Sequence, residues 1–336
     1  MVATPVSMTF AKGNDAMALG LALLEDGSFV VVGRAETVVG PSSWGWAARV
    51  SRDGEILWDR DWTSVGTALF AVTPVTDGGV IAVGETVTVK EANARRGTGL
   101  VMKVDEQGSL GWTKTLDLGA TTEITAVVED EAGRAMIGAI VKEGLREPGF
   151  VGMTSAAGQI LRVIQISENA GWVVALRRMP GAGYLVIGPG LVRVDQTGHP
   201  LWRQTGEFRD AAVFPDGTLV AVHLSEHIEM VRFSADGTQL WERSVDDPTI
   251  CQPVGVWTRG ADEIVVLSDP CAGSEFVSVT VLSGRGEKRS VHRLRVGADK
   301  RGLAAQLDRS GSVVMAGTTE RKGWVFRSEP ILGGRE

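Results

Sequence analysis

Apolar residues in this chain come in short runs that are rich in valine and separated by glycine and aspartate. Apolar positions at the i, i+3, i+4 and i+7 spacing of an amphipathic helix are missing from any long stretch. Short apolar runs that are bounded by turn residues are typical of β-strands. The pattern therefore predicts an all-β protein.

One such run follows an Asp-Gly-type turn and returns about every 50 residues. Glu25–Gly33 and Thr76–Gly84 are clear examples. Units that stack on their neighbours to bury a continuous core form solenoids or closed rings. We predict a seven-bladed β-propeller with four antiparallel strands, a to d, in each blade. The seven occurrences begin at Glu25, Thr76, Ala132, Gly181, Pro215, Ala261 and Ser310.

A second signature places a tryptophan after a glycine-containing turn, as in Val50–Trp58, Val104–Trp112, Val194–Trp202 and Phe233–Trp241. The third and sixth units keep the turn without the tryptophan. We interpret this residue, at the start of strand d, as the anchor between blades, because an aromatic ring buries a large apolar surface.

The last unit has only three strands, and Val6–Lys12 resembles an unused strand d. We predict that this N-terminal strand pairs into the last blade and closes the ring, which removes exposed sheet edges. We expect a single domain over residues 1–336. The predicted blades are 14–62, 63–117, 118–167, 168–206, 207–246, 247–297 and 298–330, with the N-terminal strand at 5–12.

The repeat resembles that of bacterial propellers related to the pyrroloquinoline-quinone-type and WD40-like superfamily. Residues 13–16 (Gly-Asn-Asp-Ala), 77–84 and 103–112 match its unit well. The resemblance spans nearly the whole chain and implies a fold without a particular activity. No cofactor is predicted, because no vicinal cysteine pair or cation site accompanies the repeat.

The net charge of −7 argues against a protein that binds nucleic-acid phosphates, which would normally carry a basic face. No apolar stretch approaches the ~20 residues of a membrane helix, so no membrane partner is expected. The N-terminus lacks the basic start and apolar core of a secretory signal. We therefore expect a cytoplasmic monomer. The alternative is an extracytoplasmic protein whose signal has been removed.

The two cysteines bear on that alternative. Cys251 opens strand a of the sixth blade, and Cys271 lies just after strand b. Both fall at the same end of adjacent antiparallel strands, where disulfide geometry is possible. A disulfide would favour an oxidising compartment, and two free thiols are the alternative.

In a propeller, the d-to-a and b-to-c connections share one face, here called the loop face, and the Asp-Gly turns occupy the opposite turn face. We expect the first residues of the a strands to surround the central channel at the loop face. A mixed polar ring of this kind suits a small polar ligand or an ion, although solvated strand ends would look the same. The predicted ring is Asp15, Thr67, Thr121 or Glu123, Trp172, Asp210, Gln252 and Arg301.

The b-to-c loops of blades 1 to 3 are predicted to be long, at Ala35–Trp44, Glu85–Gly99 and Val141–Gly149, while those of blades 4 and 5 are short. Long loops on a rigid scaffold commonly carry binding residues, although they also simply tolerate insertions. The candidates for ligand contact are Trp44, Trp46, Arg95, Arg96, Arg146 and Glu147 on these loops, together with Trp172, Gln252 and Arg301 of the ring.

His223 and His227 bracket a tight turn on the same face. Imidazole and carboxylate are ordinary zinc ligands, so these histidines with Glu226 or Asp210 are weak metal candidates. No clear third ligand accompanies them, and we predict no metal.

Three functions remain. The leading hypothesis is a binding propeller that recognises a protein, a glycan or a small polar ligand on the loop face. The second is a lactonase-, hydrolase- or lyase-like enzyme with an acid–base site at the channel mouth. The third is an assembly interface. The candidate catalytic residues are Asp15, Asp210, His223, Glu226, His227 and Arg301.

Overall fold

The structure is a computed structural model that describes residues 5–37, 43–62, 66–91, 94–168, 172–247, 250–271, 274–297 and 300–332. For residues 88–91, 94 and 95, it describes the backbone alone. All regular secondary structure in these ranges is β-strand. Over the same ranges, no helix is long and apolar enough to cross a membrane.

Twenty-eight strands build the described part of the chain. In chain order they are β1 (Val6–Phe10), β2 (Asp15–Leu23), β3 (Phe29–Glu36), β4 (Ser43–Val50), β5 (Ile56–Trp62), β6 (Ala68–Pro74), β7 (Val80–Glu91), β8 (Ala94–Val104), β9 (Leu110–Leu116), β10 (Thr121–Glu129), β11 (Ala135–Lys142), β12 (Gly149–Thr154), β13 (Ile160–Ser167), β14 (Ala175–Arg178), β15 (Tyr184–Gly188), β16 (Gly190–Val194), β17 (Pro200–Gln204), β18 (Phe208–Val213), β19 (Leu219–His223), β20 (Ile228–Phe233), β21 (Gln239–Val245), β22 (Pro253–Thr258), β23 (Glu263–Ser268), β24 (Phe276–Ser283), β25 (Lys288–Arg295), β26 (Lys300–Leu307), β27 (Val313–Thr319) and β28 (Lys322–Arg327).

These strands form seven antiparallel four-stranded sheets. Six sheets take four consecutive strands each, from β2–β5 to β22–β25. The seventh has the order β26-β27-β28-β1, so the N-terminal strand supplies its outer strand. The predicted seven-bladed propeller and its closure by the N-terminal strand are both confirmed.

Side chains from both ends of the chain hold the closing blade against blade 1. Phe10 is buried and packs on Trp46, with ring centroids 5.0 Å apart. Arg327 is 1% exposed and donates from Nη1 to the carbonyl oxygen of Gly27 at 2.7 Å. Its Nη2 pairs with Asp308 of its own blade. The seam is therefore both an apolar and a hydrogen-bonded contact.

In the four blades that carry it, the tryptophan of strand d anchors its blade to the next, as predicted. Trp58 Nε1 donates to the carbonyl oxygen of Glu106 at 2.9 Å, and Trp202 Nε1 donates to that of Ala235 at 3.0 Å. Each indole also lies on the turn glycine of the following blade. A Cβ on Gly237 would fall 2.8 Å from Trp202 Cδ2, so only glycine admits this contact.

A β-bulge interrupts strand a in six of the seven blades, close to its loop-face end. A bulge adds one unpaired residue and turns the side chains that follow it to the other side of the strand. The bulged residues are Leu19, Phe70, Thr125, Arg209, Val254 and Leu303.

Candidate functional site

The central channel contains a cavity of about 160 Å³ that receives residues from all seven a strands. The bulged residues and those just after them line it. The expectation that the first residues of strand a surround the channel is wrong in register, because the lining begins about two to four residues later in most blades. Of the predicted ring, Asp210 alone lines this cavity.

Asp210 connects three blades. It is 5% exposed, and its carboxylate accepts from Arg177 Nη2 at 2.6 Å and from the backbone nitrogen of Val256 at 3.1 Å. It occupies the position just after the bulge, where most other blades carry glycine or alanine. These hydrogen bonds hold the Asp210 carboxylate between the blades, and its catalytic role stays a prediction.

Arg209 is the residue that the bulge turns into the channel. Its charge and that of Arg301 both act on Asp269, at the end of strand b in blade 6. The Asp269 carboxylate accepts from the backbone nitrogen of Gly302 at 3.0 Å. Burial raises the pKa of Asp269, and the two guanidinium groups oppose that rise. Two arginine charges therefore act on one half-buried carboxyl at the loop-face end of strand b.

A second group of charges lies between blades 2, 3 and 4 on the loop face. Glu123 is 6% exposed, and its Oε1 accepts from Lys142 Nζ at 2.6 Å. Its Oε2 is shielded from solvent and has no hydrogen-bond partner. An unsatisfied buried acceptor costs about 1–3 kcal/mol. The carboxylate is thus only half satisfied.

Glu85 is the second carboxyl of this group. Burial is the main cause that raises the pKa of Glu85 to about 7, and the charge of Glu123 adds to the effect. The nearby Lys142 and Arg34 charges oppose it, and Arg34 already pairs with Glu36 at 3.2 Å. Near neutral pH, Glu85 therefore gains or loses its proton, and the net charge of the whole group of side chains changes with it.

Trp172 forms the outer side of the group. The ring is 46% exposed, and Lys142 Nζ lies 4.6 Å from its centroid. The ammonium thus lies between a buried carboxylate and an exposed indole. We call Glu85, Glu123, Lys142 and Trp172 the acid–lysine cluster. Trp172 was predicted as a ligand contact and Glu123 as a ring residue, whereas Glu85 and Lys142 were not singled out.

Glu85–Gly99 was predicted as a long b-to-c loop, so the position of Glu85 on a strand was missed. The connection is not a long loop. β7 and β8 continue as a paired hairpin well beyond the body of the blade, with Glu85 opposite Gly99 and Thr86 opposite Thr98. The alternation of threonine and valine in residues 86–89 was the available signal.

Trp44 and Trp46, two of the candidates for ligand contact, are not exposed on a loop. Trp46 lies on β4, is 0% exposed and packs in the core between blades 1 and 7. Trp44 is half-buried against the same core, and a Cβ on Gly13 would fall 2.6 Å from its ring. Both belong to strand c, whose alternating side chains point into the blade interface.

The loop arginines differ from one another. Arg96 donates from Nε to the carbonyl oxygen of Ala120 at 3.2 Å and pairs with Asp117, so it holds the hairpin of blade 2 to blade 3. Arg146 is exposed in the loop of blade 3, next to the half-buried Glu147. The side chain of Arg95 lies outside the described residues.

The histidines of blade 5 do not form a metal centre with their neighbours. His223 packs on Phe208, with ring centroids 4.7 Å apart, while Glu226 and His227 are exposed. Among the described residues, no group of three or more His, Cys, Asp or Glu side chains is placed to hold a metal ion.

The remaining candidates lie at separate strand ends. Asp15 is half-buried at the start of β2, and both Gln252 and Arg301 are exposed. The structure therefore does not bring the six catalytic candidates together.

Cys251 and Cys271 are joined by a disulfide, with their Cα atoms 5.2 Å apart.

The turn face carries wider depressions than the channel. The largest, about 740 Å³, is lined by the a-to-b turns of blades 3 to 6, and two others of about 570 and 520 Å³ follow around the ring. Charges that line the first are paired with each other. Arg134 Nε donates to Asp130 at 2.8 Å, and Arg178 Nη2 to Glu131 at 2.6 Å.

Comparison with solved structures agrees with this geometry. The WD40 domain of Neurospora crassa Pan2 superposes with a TM-score of 0.62 at 10% identity, covering 98% of this chain and all of that one. BamB from Moraxella catarrhalis gives 0.54 at 12% identity, covering 98% and 99%. The chain has the fold of the WD40 and BamB propellers.

A third similar structure is Chaetomium thermophilum Sqt1 bound to the N-terminus of the ribosomal protein L10. Its TM-score is 0.58 at 11% identity, and 96% of this chain and 98% of that one are covered. No protein-family model matches the sequence, and neither does any curated protein. At these identities, the likeness concerns the fold alone.

Proposed function

We propose that the protein is a binding propeller whose loop face recognises a segment of another protein, with a lysine or arginine side chain of that segment at the acid–lysine cluster. The observation that carries this proposal is the buried Glu123 carboxylate, which has one oxygen without a hydrogen-bond partner. A cationic donor from a ligand would satisfy it, and hydrogen bonds to charged groups contribute about 1.5–3 kcal/mol.

The charges of the cluster support a cationic ligand. When both Glu85 and Glu123 are ionised, Lys142 balances only one of them, because Arg34 is paired with Glu36. Trp172 is exposed beside them, and an indole face attracts cations. A basic side chain would therefore find two carboxyls and an aromatic ring in one place.

The fold supports a protein ligand in general terms. One similar propeller, Sqt1, is bound to the N-terminus of a ribosomal protein. A rigid ring that presents loops on one face is a common scaffold for recognition.

Binding of short fluorescent peptides tests the proposal. A panel with lysine, arginine or acetyl-lysine at the centre is titrated and followed by anisotropy. We expect lysine or arginine peptides to bind, and Glu123→Gln to weaken them roughly tenfold or more, since it removes a charge. Acetyl-lysine removes the ligand's charge and should have the same effect.

Glu131→Gln is the matched control, because Glu131 is exposed on the turn face beside the largest depression. It should leave peptide affinity unchanged. Binding that is lost in Glu131→Gln and kept in Glu123→Gln would move the recognition surface to the turn face. A panel that contains no binding peptide would contradict a basic protein ligand.

An enzyme is the second candidate, and the raised pKa of Glu85 is the observation that favours it. Glu85 and Glu123 are neighbouring carboxyls, and Glu85 keeps its proton up to about pH 7. Such a pair suits general acid–base chemistry. The test is turnover of a panel of lactones and esters. Turnover by the wild type that falls in both Glu85→Gln and Glu123→Gln would support hydrolysis over binding alone.

A further inference from the structure

We propose that the central channel binds a small carboxylate through the guanidinium group of Arg209, with Arg301 adding only its charge at the loop-face end of strand a. The site lies apart from the acid–lysine cluster and does not depend on the function proposed for it. Arg301 is near the start of strand a in blade 7, at the loop-face end, and Arg209 lies slightly deeper in blade 5.

Neither guanidinium is paired within the described part of the chain, where no hydrogen bond or close ion pair involves Arg209 or Arg301 side chains. The other arginine of the channel, Arg177, is by contrast held by Asp210 at 2.6 Å. Arg209 alone brings an uncompensated fork of donors to the cavity wall. Such a fork matches a carboxylate in bidentate geometry.

Asp269 does not cancel the two arginines. It is one carboxyl facing two positive charges, and burial raises its pKa in spite of them. Its Oδ1 is engaged by the backbone nitrogen of Gly302 at 3.0 Å. The two guanidinium charges therefore outnumber this carboxylate even when Asp269 is ionised, although the protein as a whole is acidic at −7.

The rest of the wall selects the kind of anion. The bulged residue is apolar in four other blades, and blade 4, which has no bulge, contributes an apolar valine to the lining. Low-dielectric walls strengthen the field of a charge inside them. A phosphate would lose strong hydration there, whereas a carboxylate with a short aliphatic body would keep its apolar part on the wall. These apolar residues are Leu19, Phe70, Val174, Val254 and Leu303.

The size of the cavity limits the ligand. At about 160 Å³ it holds the equivalent of roughly five water molecules. An acid of about four to six non-hydrogen atoms fills this volume. Butyrate is a suitable probe, and inorganic phosphate is the comparison that separates a carboxylate site from a general anion site.

The test uses the full chain in a carboxylate-free buffer. Butyrate is titrated and followed by the arginine Nε–Hε signals in nitrogen-edited NMR, with calorimetry for the affinity. We expect the Arg209 signal to shift and saturate, and phosphate to bind at least several-fold more weakly. Arg209→Gln should weaken butyrate binding by roughly tenfold or more. Arg209→Lys should recover only part of it, because lysine lacks the planar fork.

Two variants make the result specific. Arg162→Gln removes an exposed arginine on β13 and should leave butyrate binding unchanged, as should Glu123→Gln in the acid–lysine cluster. Because Arg209 has no partner in the fold, its variants should unfold at nearly the wild-type temperature. An Arg209 signal that does not move with butyrate, or equal binding by wild type and Arg209→Gln, would overturn the proposal. Tighter binding of phosphate than butyrate would overturn the preference for a carboxylate.

Discussion

The turn face and the loop face hold their carboxyl groups in different ways. On the turn face, the aspartates of the turns accept hydrogen bonds from neighbours that their own motif supplies. Hydrogen bonds from Lys103 and Thr218 lower the pKa values of Asp77 and Asp216. On the loop face, burial raises the pKa values of Glu85 and Asp269.

The bonding of the carboxyl groups therefore indicates a candidate site better than the size of the depressions does. The largest depressions are on the turn face, yet the charges that line the first of them are paired. Glu129 is the turn-face carboxyl whose pKa is raised, mainly by burial, and it too accepts a hydrogen bond, from the backbone of Thr76 at 2.9 Å. The buried carboxylate oxygen without a partner, Glu123 Oε2, lies on the loop face, where a ligand can complete its bonding.

The largest effect should come from the closing strand, which belongs to the framework and not to the site. Phe10→Ala should lower the free energy of unfolding by ~3–5 kcal/mol, because the ring is buried against Trp46. Thr9→Ala, on the exposed side of the same strand, should cost less than about 0.5 kcal/mol. Urea denaturation measures both. Equal losses would mean that β1 does not close the ring.

Two tryptophans that differ in position provide the next test. Trp202→Ala should cost about 3 kcal/mol, since its indole packs on Gly237 and donates to Ala235. Trp172→Ala should cost less than about 1 kcal/mol, because the ring is half exposed on the loop face. It should instead weaken peptide binding, which Trp202→Ala should preserve in the folded fraction. An exchange of these effects would contradict the assignment of the faces.

The pH dependence of stability should have opposite signs on the two faces. The folded pKa of Glu85, about 7, lies above its ordinary value of 4.5, so the folded state holds a proton that the unfolded state releases. Stability therefore falls as the pH rises through this interval. Glu85→Gln should remove that decline and raise stability above pH 7 by roughly 3 kcal/mol.

Asp77 is the turn-face counterpart. The hydrogen bond from Lys103 lowers the pKa of Asp77 in the folded state. The contribution of Asp77 to the free energy of unfolding is therefore present above its unfolded pKa and is lost as the pH falls through its folded pKa. Asp77→Asn should therefore destabilise the protein at neutral pH and lose this effect in acid. Denaturation midpoints of both variants across pH measure the two trends. Trends of the same sign would remove the contrast between the faces.

The smallest expected effect lies in the tight b-to-c turn of blade 7. Glu320 and Arg321 have φ values of 43° and 65°, which favour Asn and Gly in a two-residue hairpin. Replacing the pair by Asn-Gly should stabilise the protein by up to about 1 kcal/mol. The bond from the Ala16 nitrogen to the Arg321 carbonyl oxygen, 2.9 Å long, is kept because it uses backbone atoms. Thermal unfolding detects the shift, and a loss of stability would contradict this turn geometry.

The ring was predictable from the sequence because each blade repeats its own local signals. The Asp-Gly turns, the strand-d tryptophans and the unmatched strand at Val6–Phe10 determine the blade number and the closure without long-range information. All three act through contacts that recur from one blade to the next. Any one blade is therefore corroborated by several others.

The site was less predictable because it depends on departures from the repeat. The bulge in strand a exchanges the roles of Arg209 and Asp210, and no residue type announces a bulge. The small residues that follow it in the other blades, such as Gly20 and Ala71, were the available signal. Trp46 was misplaced because strand c begins earlier than the turn residues before it suggest.

The most direct test of the loop-face account is a pH titration of the Glu85 carboxyl carbon by NMR, with and without a lysine peptide. The account predicts a midpoint near 7 in the free protein. It also predicts a lower midpoint when the peptide is bound, because a cation favours the ionised carboxyl. A midpoint near the ordinary 4.5 that the peptide does not change would contradict the account.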